Sequence, residues 1–280
     1  MQKKISIFVF LFLLSAAVRA QTIALLTPDK AAASIAFADA LGERLGEKTK
    51  VLDSSLAESA YLSVSPETPF NLTTEQSKRI GVAIGCDTYI LIRSGTQRRS
   101  AFQRAEYYES YAHIYGVSTR TGRLIYWELQ KFEAAKPEAA AKQLNASIPE
   151  LADEIAAKLK AALKQELSET SLPSYEEVPD EAAAGKDFKA PIPFRRMKPE
   201  YTAQAALFDV RATVDAMIYL DEKGSIVAIE PVRWAGFGLD ESVEKNIRAM
   251  NWRPATRGNK SMAMKFLVRY NFKKIEDTNR

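Results

Sequence analysis

The residues able to do chemistry in this 280-residue chain are few. It carries one histidine and one cysteine, His113 and Cys86, so neither an intramolecular disulfide framework nor a cysteine-rich metal site can be built. His113 sits in a tyrosine-rich run at the same parity as Tyr111 and Tyr115. A half-buried aromatic face accounts for it, and no serine or cysteine is positioned to complete a nucleophilic triad. Cys86 precedes a short apolar segment and reads as a buried structural thiol. Gly-x-Ser-x-Gly, His-Glu-x-x-His, Cys-x-x-Cys and phosphate-loop patterns are all absent. Gly236-x-Gly238 lacks the third glycine of a dinucleotide fingerprint and reads as a turn entering a helix. Arg98, Arg99 and Arg104 crowd a presumed loop, either as a solvated charge run or as contacts for an anionic headgroup or acidic partner. The expectation is a protein that is not an enzyme, with no catalytic residue, cofactor or metal.

The elements that would position any site divide the chain in two. At 280 residues there is room for two cores. A net charge of +4 is too mild for nucleic-acid binding, and no basic stripe with interleaved aromatics is present. Residues 1–20 read as a secretory signal peptide: Lys3 and Lys4, an apolar run from Ile5 to Val18, then Arg19-Ala20 before Gln21. That run is shorter than the roughly 20 residues a spanning helix needs. Retention of the segment as an anchor is the rival reading.

Residues 21–167 alternate strand and helix signals. Thr22–Thr27 is a continuous apolar strand, and Phe37, Leu41 and Leu45 mark an amphipathic helix. Thr73 with Gln76 forms a capping box, and Tyr89–Ile92 is a further apolar strand. Two longer runs, 106–117 and 123–132, flank a glycine turn and predict an antiparallel hairpin on a mixed sheet. Helices follow over 137–146 and from Ser147, where Ser147 and Glu150 read as a capping pair. Residues 168–190, polar and acidic with Pro173 and Pro179, read as a flexible linker.

Residues 191–280 carry the clearest pattern. Val210, Ala212, Val214, Ala216, Ile218 and Leu220 alternate with Arg211, Thr213 and Asp215, which predicts a strand with one covered and one wetter face. Asp221–Gly224 supplies a turn and Ile226–Val232 a return arm. Leu239, Val243, Ile247 and Met250 then repeat at helical spacing. Met262–Phe272 returns to period two. The order strand, strand, helix, strand predicts an antiparallel sheet covered on one face, so the whole chain is α+β.

These last residues resemble the carboxy-terminal domain of the TonB family. Pro199, Tyr201, Ala205, Val210, Val214, Gly224, Leu239, Asp240, Trp252, Pro254, Ala255 and Phe272 stand at the places of its pattern, while Thr202, Asp209 and Ala212 depart from it. Residues 22–167 resemble more faintly the amino-terminal α/β domains of the CsgG and TolB envelope families. The resemblance implies a periplasmic adaptor that binds an envelope protein or receptor peptide by strand addition, with membrane contact only through partners. If residues 1–20 are retained, it implies an energy transducer to outer-membrane receptors instead. A third reading is an envelope assembly scaffold whose amino-terminal domain oligomerises. By position, the family's peptide-receiving segments correspond to Met262–Phe272 and Lys198, giving Lys198, Tyr201, Lys265, Val268, Arg269 and Tyr270 as partner-binding candidates. Their basic side chains favour an acidic partner, or alternatively protect a sheet edge from aggregation. Trp252 and Tyr201 are also expected to pack the core.

Overall fold

The computed structural model describes residues 21–101, 104–169, 172–180 and 185–274. The expected signal segment therefore lies outside the described residues. The fold is mixed α+β, with two principal sheets.

The first sheet has the order β2-β1-β3-β4-β5. Its strands are β1 (Thr22–Leu26), β2 (Lys50–Val51), β3 (Thr88–Ala101), β4 (Arg104–Ser118) and β5 (Leu124–Ala134). β1 pairs in parallel with β2 and β3, and β3, β4 and β5 run antiparallel, so the sheet is mixed as expected. The continuous apolar run in β3 reflects burial on both faces. Ile90 and Ile92 face a layer with Phe37, Leu41, Leu45, Ile155 and Leu159, while Tyr89 and Leu91 face the opposite way. The first layer comes from α1 (Ala32–Gly46) and α5 (Ile148–Ser168), with Leu144 of α4 (Pro137–Ala146) joining it. The second layer includes α2 (Ser54–Val64) and α3 (Thr74–Ile84). The Thr73–Gln76 capping box is present. Ser147 departs from expectation: its hydroxyl donates to the carbonyl of Leu144 rather than capping α5. Arg98 and Arg99 also depart, because β3 runs through them instead of ending in a loop. Arg98 meets Glu106 at 3.0 Å, and Arg99 meets the buried Glu109 at 2.9 Å. Cys86 is buried, which pushes its thiol up to about 11.

The second sheet has the order β10-β9-β14-β6. β6 (Glu176–Glu177) comes from the segment expected to be a linker. Further along lie short strands β7 (Phe188–Lys189) and β8 (Ile192–Pro193), then helix α6 (Ala203–Leu207). β9 (Ala212–Leu220), β10 (Ile226–Arg233), α7 (Leu239–Ala249) and β14 (Met264–Phe272) reproduce the predicted strand, strand, helix, strand order. β11 (Trp252–Arg253) pairs with β8, while β12 (Ala255–Arg257) pairs with β13 (Lys260–Met262) and β7. The expected wet face of β9 is not wet at its middle. Asp215 is only 1% exposed, and its carboxylate accepts from Arg233 Nε at 3.3 Å and from Arg269 Nε and Nη2 at 2.7 and 2.9 Å. Two guanidinium groups offset the cost of burying that charge.

One apolar core runs through both sheets. Leu26, Tyr61, Leu72, Tyr89 and Tyr115 belong to the same buried cluster as Val214, Trp234, Phe237 and Val243. Backbone and side-chain bonds lock the junction. The Asn71 amide nitrogen donates to the carbonyls of Thr213 and Trp234 at 2.8 and 2.7 Å, while its oxygen accepts from the Thr213 amide at 2.9 Å. The Trp234 amide donates to Leu72 O, and its indole N–H donates to Ser77 Oγ at 3.1 Å. The turn delivering Trp234 takes three successive left-handed residues, Gly236, Phe237 and Gly238. It is closed by hydrogen bonds that the backbone N–H groups of Ala235 and Gly236 donate to the Asp240 carboxylate. A Cβ on Gly236 would lie 2.5 Å from the Trp127 ring. Gly236→Ala is therefore expected to destabilise the protein by more than about 2 kcal/mol in urea denaturation, since both overpacking and the left-handed backbone oppose it.

His113 is buried at this junction, stacked on Tyr111 at 4.9 Å and meeting Phe208 and Phe237 edge-on at 4.5 and 4.9 Å. Burial, with Arg93 adding to it, lowers its pKa from 6.5 to about 3. The folded state therefore holds it neutral. Its stabilising contribution is complete above about pH 6.5 and is lost as pH falls toward 3. Between pH 7 and pH 5 the protein should lose about 2 kcal/mol of unfolding free energy relative to His113→Gln. Urea titrations of both proteins at the two pH values check this, and a pH-independent difference between them would refute it.

Candidate functional site: the open edge of β14

β14 is amphipathic and exposed along one side. Met264–Phe272 pairs antiparallel with Leu220–Ala212 of β9 at every residue. On its other side, among the described residues, only Met264 and Lys265 are paired, in parallel with Glu176 and Glu177 of β6. The Val178 amide then donates to the Lys265 carbonyl at 2.9 Å. Residue 265 thus turns its backbone groups toward β6. Alternation along a strand turns those of Leu267, Arg269 and Asn271 the same way. Among the described residues no strand takes up that stretch. The edge offers a ladder of N–H and C=O groups continuing where β6 leaves off.

The six candidate residues fall into separate environments. Lys265 and Arg269 share one face with Leu267, which is 44% exposed. Lys265 Nζ lies 3.6 Å from Glu177, and Arg269 binds Asp215. Val268 and Tyr270 point to the other face, packed on the core with Val243 and Ile247 of α7. The Tyr270 hydroxyl lies 3.4 Å from Asn246 Oδ1. Tyr201 is internal: its ring stacks on Phe272, and its hydroxyl lies within hydrogen-bond distance of the carbonyls of Ala205 and Val210. Lys198 is exposed in the extended approach to α6. Trp252 packs on Phe266, as expected for a core residue. Of the four β14 candidates, Arg269 turns its backbone to the open edge, the Lys265 carbonyl is taken by Val178, and Val268 and Tyr270 turn theirs to β9, while the side chains divide between a charged outer face and a covered inner one.

No family model and no curated protein matches this chain. Among solved structures, the TonB carboxy-terminal domain of Pseudomonas aeruginosa aligns at 20% identity over 35% of this chain and 95% of that one, with a TM-score of 0.27. Lipoprotein GNA1162 from Neisseria meningitidis aligns at 11% identity over 49% of this chain and 99% of that one, with a TM-score of 0.34. The LpoB carboxy-terminal domain of Salmonella enterica aligns at 11% identity over 43% and 87%, with a TM-score of 0.26. No helix among the described residues is long and apolar enough to cross a membrane.

The strand that already touches this edge has little signature in the sequence. Tyr175-Glu176-Glu177-Val178 lies in a polar, proline-flanked stretch. Its aromatic and β-branched ends were the available signal for extended chain. Tyr175 packs edge-on to Tyr219 of β9 at 5.3 Å, and Glu176 lies 3.8 Å from Arg257.

Proposed function

We propose that this chain is a non-enzymatic adaptor of the bacterial envelope, working in the periplasm, that takes up an extended acidic segment of a partner protein as an added strand on β14. One observation carries the proposal: Leu267, Arg269 and Asn271 turn unpaired backbone groups outward beside a two-residue strand that already uses the same edge. The acidic preference rests on that internal strand, whose Glu177 meets Lys265. Such surface pairs contribute under about 1 kcal/mol, so the ladder supplies affinity and the charges supply register. A photo-reactive amino acid at Asn271, placed in the full chain in its native host, tests the reading. A discrete protein adduct that forms from Asn271 and not from exposed Leu56 on α2 supports it. Equal or absent adducts from both positions refute it.

A further inference from the structure

Away from the β14 edge, the junction between the two sheets holds a cleft of about 560 Å³. Its walls come from both halves of the chain: the strand residues Arg93, Arg99, Tyr111 and His113 on one side, Phe208 and Arg211 on the other. The volume falls within the range of small-molecule sites, roughly 300–1,000 Å³. Aromatic rings, among them Tyr111, Phe208 and Phe237, make up much of the apolar lining. Tyr111 and Phe208 meet edge-on at 5.1 Å, and Phe237 closes on His113 at 4.9 Å.

Two features of the lining ask for a ligand. His113 is 4% exposed, yet among the described residues its Nε2 has no hydrogen-bond partner. A buried imidazole nitrogen left unmatched is costly unless something binds it. Three guanidinium groups, Arg93, Arg99 and Arg211, line the cleft together with one carboxylate, Asp209. Arg99 is engaged by Glu109 and also donates to the Leu207 carbonyl at 3.2 Å, which fixes the wall that carries Phe208. Arg93 has Asp29 at 3.8 Å and keeps a side chain 55% exposed, so Arg93 and Arg211 are the groups available to an incoming anion. Exposure grades across the lining: the neutral His113 imidazole is buried, Tyr111 and Phe208 are half-buried, and Arg93 and Arg211 reach solvent.

The geometry points to a binding site for a small aromatic anion, its ring among Tyr111, Phe208 and Phe237, its acidic group at Arg93 and Arg211, and a polar substituent on His113. Binding there would tie the β3–β4 wall to the α6–β9 connection, independently of any strand added to β14.

Because His113 is the only histidine, its ring nitrogens give an unambiguous NMR signal in the full chain. 4-Hydroxybenzoate is the probe, with benzoate lacking the group for His113, 4-hydroxybenzyl alcohol lacking the charge, and inorganic phosphate lacking the ring. The expected result is a saturable shift of the His113 signals by 4-hydroxybenzoate, with about tenfold or greater weakening for each comparator. Arg211→Gln, at an exposed position that leaves the core intact, should weaken 4-hydroxybenzoate about fivefold or more without moving the folded spectrum. Unmoved His113 signals at tens of millimolar probe, roughly the weakest range relevant to a site this size, would overturn the site. Equal binding of the uncharged alcohol, or unchanged affinity in Arg211→Gln, would overturn its anionic character. Equal binding of phosphate would overturn its aromatic character.

Discussion

Trp234→Ala should cost about 4 kcal/mol of stability and lower the unfolding midpoint of the whole chain in one step. Trp234 is 1% exposed, lies in the cluster shared by both sheets, and packs on Tyr115 at 5.9 Å. Removing a fully buried indole leaves a cavity worth roughly 3–5 kcal/mol, and Ser77 loses its hydrogen-bond partner. Asn71→Ala should act on the same junction by a different route. It strands the Thr213 amide and the Thr213 and Trp234 carbonyls at a cost of about 2 kcal/mol or more. Urea unfolding followed by tryptophan fluorescence and far-ultraviolet circular dichroism gives the test. Coincident transitions that shift together identify a single cooperative unit. Two separated transitions, with only one moved by Trp234→Ala, would show that the halves fold independently.

The second large effect concerns the edge. Leu267→Pro should abolish cross-linking from Asn271, a loss of at least about thirtyfold in partner affinity, while leaving stability within about 1 kcal/mol. The asymmetry follows from register. The Leu267 N–H turns away from β9, so proline removes no bond of the internal ladder, and its ring projects into the path of an arriving strand. Leu267→Ala, which keeps the N–H, separates lost backbone pairing from lost side-chain contact and should retain most of the binding. If proline and alanine behave alike, strand addition is the wrong mode of recognition.

Much of this architecture was legible because it is local. The alternation in β9 and β14, the helical stripe of α7 and the Thr73–Gln76 box each depend on residues close in sequence. The open edge followed from strand order. What was not legible came from distance. Asn71 looks like an ordinary loop residue, and its three bonds reach partners 142 and 163 residues away. Asp215 fits an alternating wet face until Arg233 and Arg269 fold over it from neighbouring strands. Arg98 and Arg99 suggested a loop because nothing apolar marks them. Yet the β3–β4 hairpin continues through cross-strand charge and hydroxyl pairs, including Gln97 with Glu109 and Thr96 with Ser110.

The shared core also sets when this protein can finish folding. The aromatic face that Tyr89, Tyr115 and Trp127 present is covered in part by α2 and α3, but the cover is completed only when Trp234 arrives, 157 residues after its hydrogen-bond partner Ser77. A chain made from its amino terminus therefore leaves part of that apolar surface uncovered until the segment after β10 is made. Premature termination or clipping between the halves leaves an exposed apolar patch, the feature that chaperones hold and proteases recognise.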